Sequence, residues 1–296
     1  MKTHLDCIPC FVRQTLETIK LASDDPILHK KAMQDMMAML SQMDFENEPV
    51  IMGREIQRLI QRLSGNPDPY KALKHQYNQM ALDLYPRLKE QVNAAESGFE
   101  VAARLALAGN MIDFGTGRML DPSDVSTTIE LALSANLKGD IQSLYEAVAA
   151  SRSILYVGDN CGEIVFDRLF IDQLIPDRVT YAVRSAPIIN DVTLEDAIFT
   201  GMTDRVRVID SGSDAPGTLL AECSPTFKKA LSDADLIIAK GQGNYETLHA
   251  IDRRIAFLLK VKCPAVAQHI GHQIGSYVVK LHNAGAVPID AYEGAP

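Results

Sequence analysis

The segment Ser153-Ile154-Leu155-Tyr156-Val157-Gly158-Asp159-Asn160-Cys161-Gly162-Glu163-Ile164-Val165-Phe166-Asp167 decides how this chain reads. An apolar, β-branched run stops at Gly158 and a helix-like pattern starts almost at once, so a strand turns sharply into a helix. In an open α/β sheet that junction is where ligands bind. Here it carries an acid and an amide side by side, Asp159 and Asn160, in place of a glycine-rich cradle. Both offer hard oxygen donors, a pairing suited to a divalent metal that in turn holds phosphate.

Short apolar runs continue downstream at 179–183, 206–209, 236–239 and 256–261, spaced by polar or helical stretches, and a further strand is expected to begin at Ala265-Val266-Ala267. Such alternation predicts a parallel sheet with crossover helices. Upstream the period is helical, over 11–22, 26–43, 53–63, 70–93 and 99–109. Pro86 is expected to kink or split the fourth of these helices. Ser123-Asp124 is placed to cap another from about Val125. The expected architecture is α/β: a helical N-terminal domain over 1–150 that contributes to the pocket. A three-layer α/β/α Rossmann-like domain with a mainly parallel sheet follows over 151–296.

Composition narrows the function. With 47% hydrophobic and 23% charged residues, the 296-residue chain is of the soluble globular kind. A net charge of −9, spread along the length, argues against nucleic acid or an anionic membrane as partner. No apolar run reaches the roughly 18 residues of a bilayer span, and the first residues lack the apolar core of a signal peptide. A cytoplasmic location is the expectation. Five cysteines, an odd number, do not suggest a secreted disulfide scaffold. Oligomeric state is not legible.

Four consecutive strand ends carry polar residues: Asp159-Asn160 with Glu163 a turn later, 184–191, 210–217 and 240–246. Singly, Asn, Asp and Gly are ordinary turn formers and helix caps. Together, Asp159-Asn160 and Asn190-Asp191 give two paired sets of oxygen donors, enough for a six-coordinate ion completed by water. Lys240 ends an apolar strand, where a buried ammonium is costly unless an anion meets it. A substrate phosphate is a natural partner, and Gly241 and Gly243 would let backbone N–H groups approach it.

Six motifs in this order resemble those of the metal-dependent damage-control phosphatase family, in its stand-alone prokaryotic type with an N-terminal CxxC. They are Cys7-Ile8-Pro9-Cys10, Gly109-Asn110-Met111-Ile112-Asp113, Asp159-Asn160-Cys161-Gly162-Glu163, Asn190-Asp191-Val192-Thr193, Ser211-Gly212 through Gly217, and Lys240-Gly241-Gln242-Gly243-Asn244. The resemblance runs over nearly the whole length. It implies a helical domain joined to a Rossmann-like one, and hydrolysis of phosphate esters of small metabolites, sugar phosphates or phosphopantetheine-like compounds. It implies that Asp159, Asn160 and Asp191 ligate magnesium, manganese, cobalt or nickel. It also implies that Lys240 lies near the transferred phosphate, with Asn110 and Asp113 lining the pocket from the helical side. On that reading Asp159 and Lys240 are catalytic, and Ser211, Gly212, Gly241 and Asn244 join Asn110 in holding substrate. The ion would polarise the phosphoryl group and acidify a water for in-line attack. Glu163 or Asp113 would orient that water or protonate the leaving group. An aspartyl-phosphate route through Asp159 ranks lower, because a metal-bound side chain is a poorer nucleophile. Cys161 departs from the family, where a small residue such as alanine is expected.

Cys7 and Cys10 have the spacing of half a metal knuckle or a redox pair, and Cys263 could join them if the N-terminus folds back. Two buried, inert thiols are the equal alternative. His269 and His272 suit packing or capping better than ligation. The Met-rich stretch 33–39 suits adaptable core. A Rossmann-type methyltransferase or nucleotide-binding enzyme is the main rival function, disfavoured because no strand end carries G-x-G-x-x-G. A non-catalytic metal or thiol-redox module would leave the paired Asp/Asn loops unexplained.

Overall fold

The structure, a computed structural model, describes residues 1–109 and 122–282, without the side chains of 122–126 and 128. Three helices open the chain: α1 (Cys7–Ala22), α2 (Pro26–Leu40) and α3 (Pro49–Ser64). Proline occupies the first turn of α2 and α3, where a missing N–H costs nothing, and the Asp25 carboxylate caps α2 by accepting from Ile27 N–H at 2.8 Å. Their apolar faces meet around Phe11, Ile19, Ala32, Met36, Ile56 and Ile60. Met36 is fully buried and Met33 and Met39 pack beside it, the core role expected of the Met-rich stretch, whereas Met37 is exposed.

The next helices are α4 (Lys71–Ala94), α5 (Gly98–Gly109) and α6 (Pro122–Ser134). Pro86 lies inside α4 and does not divide it: the helix is a single element of 24 residues. Burial of Tyr77, Ala81, Leu88 and Val92 on both sides of the proline holds it as one.

The sheet comprises β1 (Lys138–Gly139), β2 (Ile154–Val157), β3 (Val179–Val183), β4 (Arg207–Asp210), β5 (Leu236–Lys240), β6 (Ile255–Lys260) and β7 (Tyr277–His282). Between them run α7 (Ile141–Ala150), α8 (Glu163–Ile171), α9 (Leu194–Phe199), α10 (Pro225–Asp233), α11 (Gly241–Leu248) and α12 (Pro264–Ile270). Among the described residues the strand order is β1-β7-β6-β5-β2-β3-β4, parallel except where β7 meets β6. Alternate residues serve opposite faces. Ile154 and Tyr156 join a core with α4, α5 and α8, while Leu155 and Val157 join a second core with α10, α11 and α12. That is the expected three-layer α/β/α arrangement.

One expectation needs correction, and the sheet has members beyond those expected. Ala265-Val266-Ala267 is helical, within α12: Cys263 stands at its N-cap and Pro264 at its first position, and proline has no N–H to give a ladder. Two strands were not foreseen. β1 has only two residues, and Tyr277–His282 alternates too weakly to stand out. The expected boundary at residue 150 is crossed by contacts in both directions. β1 comes from the first half, α5 packs on α8, and residues 283–296 lie outside the described residues.

The order places β2 between β5 and β3. The chain moves outward from β2 to β3 and β4, then returns to lay β5 on β2's other side. The crevice beyond the carboxyl ends of β2 and β5 is therefore the switch point of the sheet, where an open α/β fold can take a ligand.

Candidate active site

Asp159 leaves β2 at this crevice, and Gly241 follows β5 across from it. Gly241 has φ +75°, and a Cβ there would stand 1.9 Å from Asp159 Oδ2, so only glycine allows the two turns to approach. The turn after β2 is also laced to the loop after β3. Cys161 N–H donates to Asn190 O at 2.9 Å, Val192 N–H donates to Asp159 O at 2.9 Å, and Asn160 and Asp191 form an isolated antiparallel bridge. Ile189, just before Asn190-Asp191, holds φ +46°, a conformation costly for a β-branched residue. The two acid–amide pairs are thus brought together, on a backbone held under strain.

Electrostatics at the crevice is dominated by acids. Asp159 is 8% exposed and its carboxyl is pushed up to about 8, by burial first and then by Glu163 and Asp191. Asn160 Nδ2 donates to Asp159 Oδ2 at 2.7 Å and to Glu163 Oε2 at 3.1 Å. Asp191 accepts from Arg184 Nε at 2.8 Å, and Arg184 also donates to Thr218 and Asn244. Asn244 in turn donates to Gly158 O and Lys240 O, tying β5 to β2 from beneath.

Lys240 is fully buried, and its Nζ donates to Glu163 Oε1 at 2.6 Å, Asp167 Oδ1 at 2.6 Å and Ala106 O at 2.9 Å. These three bonds match the three donors of an ammonium. Burial works against its charge, but Asp167 and Glu163 outweigh burial and hold it protonated above the usual lysine range. Asp167 also accepts from the stacked tyrosines Tyr156 and Tyr181, at 2.6 and 2.9 Å.

Other expected site residues are distributed as follows. Asn110 and Asp113 lie outside the described residues. Ser211 and Gly212 form the turn after β4. Ser211 Oγ donates to Ser213 O, and Gly212 N–H donates to Asp210. Cys7 and Cys263 are half-buried and Cys10 exposed, all three as free thiols. The N-terminus does fold back toward Cys263: burial pushes the Cys7 thiol up, and Glu246, Cys263 and Cys10 are near enough to add to it. Gln242 links Cys263 and Glu246 by donating to both. His269 meets the Tyr245 hydroxyl at 2.9 Å, and His272 lies beyond the end of α12. The Cys161 thiol is buried and kept well above its usual range by that burial.

Sequence reasoning gave no role to Asp167, Arg184 or Asn78. Two had a signal: Asp167 interrupts the apolar run of α8 one turn after Glu163, and Arg184 follows β3 as Lys240 ends β5.

Among the described residues, no group of three or more His, Cys, Asp or Glu side chains is gathered as a ready metal cage. The donor set that fits an ion is mixed, with Asp159 and Asp191 carboxylates and the Asn160 amide, all hard oxygen donors of the kind magnesium and manganese accept. Asp159, Glu163, Asp167 and Asp191 gather here, with Arg184 bonded to Asp191 and Lys240 to Glu163 and Asp167. No helix among the described residues is long and apolar enough to cross a membrane.

Comparison with known proteins bears on the same region. Residues 3–278 match the family model described as the damage-control phosphatase ARMT1-like domain. The chain is 36% identical to a damage-control phosphatase of Pyrococcus horikoshii over 94% of its own length and 97% of the relative's. It is 31% identical to a damage-control phosphatase of Archaeoglobus fulgidus, over 95% and 99%. A crystal structure of a DUF89 family protein from Pyrococcus horikoshii superposes with a TM-score of 0.87 at 34% identity, over 95% of this chain and 99% of that one.

Proposed function

For a chain that belongs to the damage-control phosphatase ARMT1-like family, we propose metal-dependent hydrolysis of phosphate monoesters of small metabolites at the β2–β5 crevice. The observation that carries this is the meeting of Asp159-Asn160 with Asp191 at the switch point, where both carboxyl groups are buried and the Asp159 carboxyl is pushed up by burial and by the neighbouring acids Glu163 and Asp191. Asp159 and Asp191 would hold a divalent ion through carboxylate oxygens. Asn160 would join through its amide oxygen after a half-turn that exchanges it for the Nδ2 now facing Asp159. Such an ion, when bound, polarises a phosphoryl oxygen and makes a water more acidic.

The chain's own residues prepare that chemistry. Arg184 fixes Asp191 Oδ2, and Oδ1 would be the oxygen offered to an ion. Lys240 locks Glu163 by Oε1, so that Oε2 is held beside Asn160 and Asp159. From there Glu163 can orient a water or pass a proton to the leaving oxygen. The N-terminal turn of α11, opening at Gly241 against Asp159, would offer backbone N–H groups to the phosphate. Lys240 acts in this account by holding Glu163 and not by touching the phosphate, since its donors point to Glu163, Asp167 and Ala106.

The test is phosphate release from a panel of sugar phosphates and phosphopantetheine-like esters, after chelation and again with magnesium, manganese, cobalt or nickel restored. Release should return with metal and be lost in Asp159→Ala, which removes an expected ligand of the ion. Absence of release with every metal and ester would favour nucleotide binding or methyl transfer in the same crevice.

A further inference from the structure

We propose that Asn78, on a helix carrying none of the expected ligands, sets the spacing of the two ligand loops and so acts as a positioning residue for the divalent-ion site. The inference rests on the metal-dependent reading above. Asn78 lies on α4 and is 1% exposed. Its Oδ1 accepts from Gly162 N–H at 2.7 Å, and Gly162 ends the turn that begins with Asp159-Asn160. Its Nδ2 donates to Asp196 Oδ1 at 3.0 Å. Asp196 Oδ2 accepts from Thr193 N–H at 2.9 Å and Thr193 Oγ1 at 2.7 Å, closing a capping box two residues beyond Asp191. One side-chain amide therefore has an end on each loop.

The residue type is dictated by its partners. A backbone N–H faces one end and a carboxylate the other, so this position needs an acceptor and a donor on one short side chain. The same partners fix which way the amide points. A carboxylate would keep Gly162 but repel Asp196. An apolar side chain would supply neither bond and leave the Gly162 N–H and the Asp196 oxygen to separate waters, uncoupling the two loops. Lys74, one turn earlier on α4, stands 2.8 Å from Asp68 and 3.6 Å from Asp196 and balances the charge there. Lys74, Asn78 and Asp196 also line a cleft of about 980 Å³, so water is at hand to replace the bridge once it is cut. Loss of the bridge then loosens the β2 turn against the β3 loop, while the direct ligands stay in place.

Calorimetric titration with Mn²⁺ tests the proposal, paired with amide hydrogen exchange on the metal-free protein. Asn78→Ala should weaken Mn²⁺ binding roughly 10–100-fold, as removal of an outer support does, and should speed exchange at Gly162 and Thr193 but not within β5. Asn78→Asp should do the same. The double variant Asn78→Asp, Asp196→Asn rebuilds the bond with donor and acceptor exchanged, and should recover most of the affinity. Recovery separates a spacing role from simple loss of fold, even if Asn78→Ala proves too unstable to titrate. Native Mn²⁺ affinity and exchange in Asn78→Ala, or a double variant no better than Asn78→Asp, would overturn the positioning role alone. If the native protein takes up no Mn²⁺, the metal-dependent reading fails and takes this proposal with it.

Discussion

The turn after β2 and the turn after β4 are built from the same residue types and do opposite things with them. Both carry Asp, Gly and a small polar residue at the carboxyl end of a strand. After β4, the polar groups are spent locally: Asp210 accepts from Gly212 N–H, Ser211 and Ser213 bond each other, and Asp214 takes two bonds from Arg58 at 2.9 Å. Glu222, nearby, pairs with Arg54 of α3. After β2, the side chains converge on one another under cover, and acid is set against acid. The lesson is that turn composition alone does not mark a candidate site; the gathering of buried acids does.

The sharpest contrast lies in the ion pairs. Lys240→Met would strip the ammonium from two buried carboxylates and should cost about 3–5 kcal/mol, read by denaturant unfolding. Arg58→Met breaks a half-exposed pair and should cost no more than about 1 kcal/mol. Equal losses in the two variants would erase the distinction.

The glycines come next. Gly241→Ala and Gly212→Ala both force a side chain onto left-handed backbone, with Cβ atoms 1.9 Å from Asp159 Oδ2 and 2.4 Å from Ser224 N. Each should cost about 1–3 kcal/mol. Only Gly241→Ala should also weaken Mn²⁺ binding, because only there does the new methyl displace an expected ligand. Equal Mn²⁺ affinity in both variants would remove Asp159 from the ligand set.

The smallest effect is on pH dependence. The folded chain holds the Asp159 proton to about pH 8, whereas the ordinary aspartate value is 3.8. Its contribution to stability is present in full below pH 3.8 and is lost as the pH rises toward 8. In metal-free protein the melting temperature should slope downward across that window, less steeply in Asp159→Asn, and Mn²⁺ should protect most at the upper end. An unchanged slope in Asp159→Asn would mean the carboxyl ionises freely and the crevice is better hydrated than its burial implies.

Much of this was readable in advance where a local rule and a tertiary fact coincide. Ile154–Val157 is buried on both faces, so its unbroken apolar run announced a central strand. Asp159 and Asn190-Asp191 were visible because strand ends are where such sheets place chemistry. Asn78 was not visible: a polar residue in a helix of ordinary amphipathicity has no mark of its own, and its value comes from Gly162 and Asp196, each more than 80 positions away. The sequence presents Lys240 as a cation needing an anion, and the anion supplied is protein carboxylate, contributed by α8. For Ala265-Val266-Ala267, three apolar residues fit either period, and Pro264 carried the deciding information.

The sheet also has an order of completion. β7 enters antiparallel beside β6 and then holds β1, so that Lys138 meets Val278. During synthesis, every strand from β1 to β6 precedes it. Until Tyr277–His282 arrives, Ile255–Lys260 presents a bare, almost wholly apolar edge, the kind that pairs with strands of other chains. The last described strand is therefore the closure that keeps a nearly finished molecule from finding its partner in a neighbour.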